Sequence, residues 1–540
     1  MSCMIDRRMF LKMVGGGTLL GSLARAGLGT SSGRGWRPNV VLILCDDMGF
    51  SDLGCFGSEI STPNLNGLAA GGLRMAQFYN AARCCPTRAS LLTGLYQHQA
   101  GIGAMVGNGG TPEYQGFLND RCATIAEVLK GAGYNTYMSG KWHVGNNKGC
   151  WPLDRGFDRY FGLINGASNY FNNIYYRDPS RGQTMLIDNE PFDPPPTTEE
   201  MWRKNEGFYL TDAFTDHALE FLDQQQEAAD PFFLYLAYTT PHWPLHAFPE
   251  DIAKYRGKYR IGWDRLREQR YRRQLELGIV DESTRLSPRN PEVPAWDEVS
   301  EEVREEFDLE MAIYAGMIDR MDRNIGRVVE KLKAMGQFAD TLILFLSDNG
   351  GCHTTPSYKH LQGAPGGPNS FPCYGFMGAN VSNVPFRLQK QYIHEGGIAT
   401  PFIAHYPRMI EPNRIDSQPG HIVDLMPTLI DLCKARYPAT RNGEETRPLQ
   451  GISLRPVLEG GRLSREAPLY WEHIGNRGVR IGDWKLVAAK PELEWELYDM
   501  REDRSELNDL SERLPQKKRE LLAIYEQWAR ENRVKPWPHK

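Results

Sequence analysis

Four short apolar runs in the sequence are each followed at once by residues able to do chemistry. Asn39–Cys45 runs into Asp46-Asp47, Asn135–Ser139 leads to Lys141-Trp142-His143, Pro231–Tyr238 to Pro241-His242, and Thr341–Ser347 to Asp348-Asn349. Ligands in open α/β sheets bind beyond the carboxyl ends of the strands. As neighbouring strands, these runs would deliver three carboxylates, an amide, a lysine and two histidines to one edge of one sheet, and that convergence is a site in its own right. A further feature is the adjacent pair Cys84-Cys85, followed by Pro86 and later by Gly94. Pro86 suits the first turn of a helix and Gly94 its end, which puts residue 84 at the positive helix N-terminus, where an anion is attracted. A vicinal buried pair or a disulfide is the plain alternative for the two cysteines.

The elements that must position these residues follow from periodicity. Short continuous apolar runs bounded by polar residues predict strands buried on both faces, hence a mainly parallel sheet covered by helices. Between them, Thr124–Lys130 has helical spacing and opens on a capping box of Thr124 with Glu127; Glu310–Met335 is a second helical segment, ended by Gly336. Alternation of strand and helix predicts an α/β fold: a large, mainly parallel or mixed sheet sandwiched by helices. Tyr160–Glu206, His246–Ser300 and Gly351–Asn383 are rich in Pro, Gly, Asn, aromatic or charged residues, and are expected to be long loops walling a pocket. From about Gly460 the pattern changes to short alternating strands, such as Gly478–Val487, and then a charged helix from about Ser511 to Asn532. The expected division is residues 37–459 as the main domain and 460–540 as a smaller C-terminal α+β subdomain.

Composition narrows the class. The chain has 540 residues, 41% hydrophobic, and a net charge of -5, an ordinary globular balance without the basic excess of a nucleic-acid binder. The basic stretch Arg267–Arg273 is read as a solvated helical face. Asp6-Arg7-Arg8-Met9-Phe10-Leu11-Lys12, a short apolar stretch and Ala24-Arg25-Ala26 resemble a twin-arginine export signal over residues 1–29. That predicts delivery by the twin-arginine machinery to the periplasm or medium, with no stable membrane insertion of the mature protein, because the apolar stretch is far short of the roughly 20 residues needed to span a bilayer. The ten cysteines have no zinc-type spacing; Cys55, Cys122, Cys150, Cys352, Cys373 and Cys433 could pair in an oxidising compartment, with connectivity left open.

Cys84-Cys85-Pro86-Thr87-Arg88-Ala89-Ser90-Leu91-Leu92-Thr93-Gly94 resembles the type I sulfatase signature: counted from Cys84, Pro falls at +2, Arg at +4 and Leu-Thr-Gly at +8 to +10, whereas counting from Cys85 fits nothing. The resemblance is closest to bacterial arylsulfatases, through Gly262–Glu268 and Met311–Arg327 as well, and implies an alkaline phosphatase-like fold. It implies that a formylglycine-generating enzyme converts Cys84 to formylglycine, leaving Cys85 an ordinary neighbour. It further implies one calcium ion on Asp46, Asp47, Asp348 and Asn349 together with the converted Cys84, an oxygen set that suits a hard cation. Arg88 and Lys141 would orient the hydrated aldehyde, His143 would assist proton removal as sulfate is eliminated, and His242 with Lys390 would protonate the leaving oxygen. The implied substrate is a sulfate ester, aryl or carbohydrate, on which Tyr170, Phe171, Tyr175 or Tyr176 could stack, though loop packing is the commoner role of such residues. A phosphonate or phosphodiester hydrolase on the same fold is the alternative enzyme, and a sulfated-glycan binding protein the alternative if Cys84 stays unmodified. His246, His353 and His394 carry no assigned role; His353 is a pocket candidate.

Overall fold

The computed structural model describes residues 37–174, 182, 184–226, 228–356, 358 and 361–537. The export motif and the cysteine at position 3 lie outside them, as do Tyr175 and Tyr176. Among the described residues ten strands form one sheet: β1 (Asn39–Cys45), β2 (Leu73–Met75), β3 (Asn135–Gly140), β4 (Arg159–Leu163), β5 (Met185–Ile187), β6 (Glu190–Pro191), β7 (Phe232–Ala237), β8 (Thr341–Ser347), β9 (Phe402–His405) and β10 (Arg414–Asp416). Their order is β10-β2-β9-β8-β1-β7-β3-β4-β5-β6. The central five, β8-β1-β7-β3-β4, are parallel, while β9 and β5 pair antiparallel at the two flanks. The sheet is therefore mixed, with a parallel centre formed by the four runs read from the sequence plus β4.

The central strands are buried on both faces because their side chains alternate between two cores. Val41, Ile43 and Cys45 of β1 join one apolar cluster; Val40, Leu42 and Leu44 join the other. The first layer is covered by helices Leu210–Gln225 and Glu301–Ala334, the second by Cys84–Thr93, Ile125–Gly131 and Leu425–Cys433. Thr124 caps its helix as expected, with reciprocal hydrogen bonds to Glu127 of 3.1 and 2.7 Å.

Two expectations need correction. The helix expected over Glu310–Met335 spans Glu301–Ala334 and is capped by Ser300, because its first turns carry charged, outward-facing residues that leave no apolar stripe. The stretch His246–Ser300 is not all loop: Trp263–Leu277 is a helix whose buried residues are Trp263, Leu266, Arg267, Arg270 and Gln274. Its Arg267 and Arg270 are thus inside, not on a solvated face. Arg270 donates to Asp52 at 2.6 Å and to Glu59 at 2.8 and 2.9 Å, while Arg267 donates to Ser287 and Asn380 backbone carbonyls. Shorter elements also interrupt the other two expected loops, among them β5, β6 and the helix Gly375–Ser382.

Four antiparallel strands follow, β11 (Leu469–His473), β12 (Asn476–Ile481), β13 (Trp484–Ala488) and β14 (Trp495–Asp499), with the helix Pro515–Glu531. One face of this small sheet packs Val479, Leu486 and Leu497 against Leu521, Tyr525 and Trp528 of that helix; Leu469, Trp471 and Val487 join the main core. Among the described residues no helix is long and apolar enough to cross a membrane, and all nine described cysteines are unpaired, so the periplasm-type pairings are not present among them.

Candidate active site

Parallel register is what gathers the site. Cys45 of β1 stands opposite Ser347 of β8, so Asp46-Asp47 and Asp348-Asn349 leave the sheet side by side; the Asp348 amide donates to the Cys45 carbonyl at 3.1 Å. On the other side Gly140 of β3 stands opposite Ala237 of β7, and the Lys141 amide donates to the Ala237 carbonyl at 2.7 Å. The chain then turns abruptly: Asp47 and His143 hold left-handed φ angles of 66° and 56°, a conformation that costs a non-glycine residue of order 1–3 kcal/mol and is kept where surrounding structure demands it. The helix Cys84–Thr93 lies across the same edge and is buried along its whole length. Arg83 is its extended N-cap and Gly94 its left-handed end, at φ 69°. A Cβ on Gly94 would also lie 2.7 Å from Cβ of Met426, so geometry and packing both require glycine there.

Asp46, Arg88, Lys141, Asp348 and Asn349 are fully buried. Arg88 donates to Asp348 at 2.9 and 3.1 Å and to the Lys141 carbonyl at 2.9 Å; Lys141 pairs with Asp46 at 2.5 Å; Lys390 pairs with Asp47. Buried charges persist only when paired, and here three cations meet three carboxylates. Burial alone would raise Asp47, but His242 and Lys390 outweigh it and hold the carboxyl at about 2. Asp348, by contrast, is pushed well up by burial and by the charge of Asp46, more than Arg88 relieves. His242 Nδ1 lies 2.6 Å from the Trp243 carbonyl, which only accepts, so Nδ1 carries the hydrogen and Nε2 faces Asp47 at 3.5 Å.

Within this group Asp46 Oδ1, Asp47 Oδ2 and Asn349 Oδ1 are buried without a hydrogen-bond partner. Such orphans are expensive. Three oxygens from two adjoining strand ends, in a set of three carboxylates and an amide, fit a hard divalent cation, and Asp46, Asp47, Asp348 and Asn349 would hold it.

Cys84, Cys85 and His143 form a second cluster, with ligand atoms within 4.8 Å of one another; Asp46, Asp47 and His242 form another. Cys85 is more than a neighbour: its Sγ lies 3.2 Å from His143 Nε2. A hydrogen bond from Cys85 is the chief cause holding the Cys84 thiol well below its usual range; burial opposes it, and Lys141 and His143 add to it. His143 is brought down to about 4, mainly by burial. These groups open into a cavity of ≈ 610 Å³ lined by Cys84, His143, His242 and Lys390.

Asp46, Asp47, Cys84, Arg88, Lys141, His143, His242, Asp348, Asn349 and Lys390 therefore meet at this edge. The sequence reading passed over Arg83, Trp243 and Cys352, which also line the cavity, and Asp52, which holds the Asp46-Asp47 turn by accepting from Gly49 N at 2.8 Å and from the Tyr314 hydroxyl at 2.7 Å. His246 is structural, facing the Ser370 carbonyl at 3.0 Å, and His394 pairs with Glu496 at 2.9 Å. His353 packs on Phe376 and Tyr392 and is not among the residues lining the cavity. Tyr170 and Phe171 are buried in the core, which removes them as stacking platforms.

Comparison with known proteins decides the family. The Sulfatase family model matches residues 38–435, and the N-sulphoglucosamine sulphohydrolase C-terminal model matches 387–528. The chain belongs to the sulfatase family. This sulfatase is 35% identical over 521 residues to an uncharacterized sulfatase of Schizosaccharomyces pombe, covering 91% of this chain and 93% of the relative. It is 34% identical over 460 residues to an arylsulfatase of Klebsiella aerogenes, covering 80% and 94%. The solved structure of Ps i-CgsB in complex with k-i-k-neocarrahexaose superposes with a TM-score of 0.69 at 26% identity, covering 93% of this sulfatase and 95% of that chain. The alkaline phosphatase-like α/β fold with its smaller C-terminal sheet follows, and the reaction of the sulfatase is hydrolysis of sulfate esters.

Proposed function

We propose that this sulfatase works through a formylglycine made from Cys84, beside one calcium ion held by Asp46, Asp47, Asp348 and Asn349. The observation that carries the reading is the trio of buried, unpartnered oxygens on Asp46, Asp47 and Asn349 beside a helix whose first residue is Cys84. Calcium, when bound, supplies positive charge for a sulfuryl oxygen. Formylglycine supplies a hydrated aldehyde, whose two hydroxyls provide both an attacking oxygen and a route for releasing sulfate.

The rest is done by the chain's own side chains. Arg88 and Lys141, both fixed by ion pairs, hold the reactive oxygen of residue 84 and stabilise negative charge there. His143, brought down to about 4 mainly by burial, is held neutral, so its ring can accept a proton. His242, oriented by the Trp243 carbonyl, presents Nε2 to the departing oxygen, with Lys390 beside it. The N-terminal arginine pair supports export by the twin-arginine route to the periplasm or medium, after a formylglycine-generating enzyme has acted.

The test combines mass and metal. Peptide mapping of purified protein is expected to find the aldehyde at residue 84; Cys84→Ala removes both aldehyde and turnover, whereas Cys85→Ala keeps the aldehyde. Chelation is expected to abolish turnover of an aryl sulfate, and calcium to restore it better than zinc. An unmodified thiol in active protein, or full activity without divalent metal by elemental analysis, overturns the reading.

A further inference from the structure

Every cation on the floor of the site is committed. Arg88 is paired with Asp348, Lys141 with Asp46 and Lys390 with Asp47. Arg83 lines the same cavity, directly before Cys84, yet it has no ion-pair partner among the described residues, and its Nε makes no hydrogen bond. The charged or polar groups it faces are Cys84, Cys85, Cys352, Asp47 and the like-charged Lys390, together with His353 and His473, which burial keeps largely neutral. Asp47 is the one carboxylate in that set, and it is already taken by Lys390, by Asn349 Nδ2 at 2.7 Å and by His242 at 3.5 Å.

The backbone that leads into Arg83 is also held in place. Ala82 has a left-handed φ of 61°, and its carbonyl accepts from the Gln391 amide at 2.9 Å. The Gln391 carbonyl in turn accepts from Asn476 Nδ2 of the C-terminal sheet at 2.9 Å. Arg83 is half-buried where Arg88 and Lys141 are wholly buried, so it stands nearer the mouth than the floor. A partly desolvated cation whose one nearby carboxylate is already paired is costly unless a ligand supplies a further counter-charge, and guanidinium is the side chain best matched to carboxylate and sulfate oxygens.

We propose that Arg83 is a specificity-determining residue that receives a second anionic group, a carboxylate or a second sulfate, carried on the leaving-group side of the sulfate ester. The natural substrate is then at least dianionic. The inference rests on the formylglycine reading above, since it places the scissile sulfate at residue 84.

The experiment compares kcat/KM for three phenyl sulfates of similar size, bearing at the meta position a carboxylate, a second sulfate or a neutral carboxamide. The wild-type enzyme is expected to favour the charged members by roughly 10- to 100-fold, the range of a charge-assisted hydrogen bond. Arg83→Gln should collapse that ratio toward one, and Arg83→Lys should keep part of it. The carboxylate and disulfate arms tell which anion is preferred. Absence of a preference in the wild type, its persistence in Arg83→Gln, or an equal loss on all three substrates overturns the assignment; equal loss means that Arg83 serves the scissile sulfate instead. If protein carrying the residue-84 aldehyde turns over none of the three, the formylglycine reading fails first, and this one with it.

Discussion

At the scale of single residues the imidazole of His242 has the most specific consequence. Its Nδ1 is tied to a carbonyl and its Nε2 faces Asp47; burial brings the ring below its usual range, against the charge of Asp47, which favours protonation. A group poised in this way matters in proportion to the need for a proton. Phenols of high acidity depart as stable anions and need little help, whereas poor leaving groups depend on it; removing a general acid typically costs on the order of 10²- to 10⁴-fold when protonation matters. His242→Ala is therefore expected to slow the weakly acidic members of a graded phenyl sulfate series far more than nitrophenyl sulfate, steepening the dependence of rate on leaving-group acidity. Equal losses along the series would assign His242 to sulfate binding. Most of these residues were legible without a structure because each follows an apolar run. Arg83 was not, since nothing in its sequence context says that it lacks a partner, and Cys85 was not, since contact with His143 is a tertiary fact.

Among the elements not foreseen from periodicity, the helix Trp263–Leu277 has the clearest physical reason. Its inward positions fall at helical spacing, but they carry two arginines and a glutamine, so no apolar stripe marks the face. The strands, by contrast, were legible because burial on both faces leaves a continuous apolar run. What this helix buries is a brace: Arg270 neutralises Asp52, and Asp52 holds the turn that carries Asp46 and Asp47. Arg270→Met strands a buried carboxylate, expected to cost about 3–5 kcal/mol of stability, and loosens the turn enough to weaken binding of the proposed calcium by about 10- to 100-fold. Denaturant unfolding and calcium titration check both numbers. Adding Asp52→Asn to Arg270→Met should recover much of the stability but not the metal affinity; full affinity in the single variant would show that the brace is dispensable.

For the molecule as a whole, buried histidines set the acid limit. His246, His405 and His421 are at most 5% exposed, and burial brings them down to about 4, about 4 and about 3. Their folded values lie below the ordinary 6.5, so as pH falls the unfolded chain takes up protons first. Stability is therefore complete above about pH 6.5 and is lost as pH falls toward 4, each group contributing at most about 1.4 kcal/mol per pH unit. Denaturation midpoints are expected to drop across that window, and His421→Gln should reduce the slope by up to one proton; midpoints that stay level from pH 7 to 5 would contradict this. The small C-terminal antiparallel sheet was legible from the change to short alternating runs after about Gly460. Less visible was how closely it is joined to the main domain: Lys485 of β13 is buried between Glu395 and Glu506, at 2.9 and 2.7 Å.

The burial of Cys84 has a meaning in time. Only 3% of the residue is exposed, and the walls of its cavity include Cys352, Lys390 and Gln391, about 300 residues further along the chain. At a synthesis rate of ~5–20 residues per second, those walls arrive roughly fifteen seconds to a minute after residue 84. For that interval residue 84 is an open stretch of chain; once the late segments wall the cavity, the 3% of the residue left exposed is too little for a second protein to engage. On the formylglycine reading proposed above, conversion of the thiol is a race against translation, and the proportion of working enzyme is fixed while each molecule is still being made. Slower codons between positions 95 and 340 should raise the converted fraction measured by mass, and purified, folded, unconverted protein should resist the same maturing enzyme.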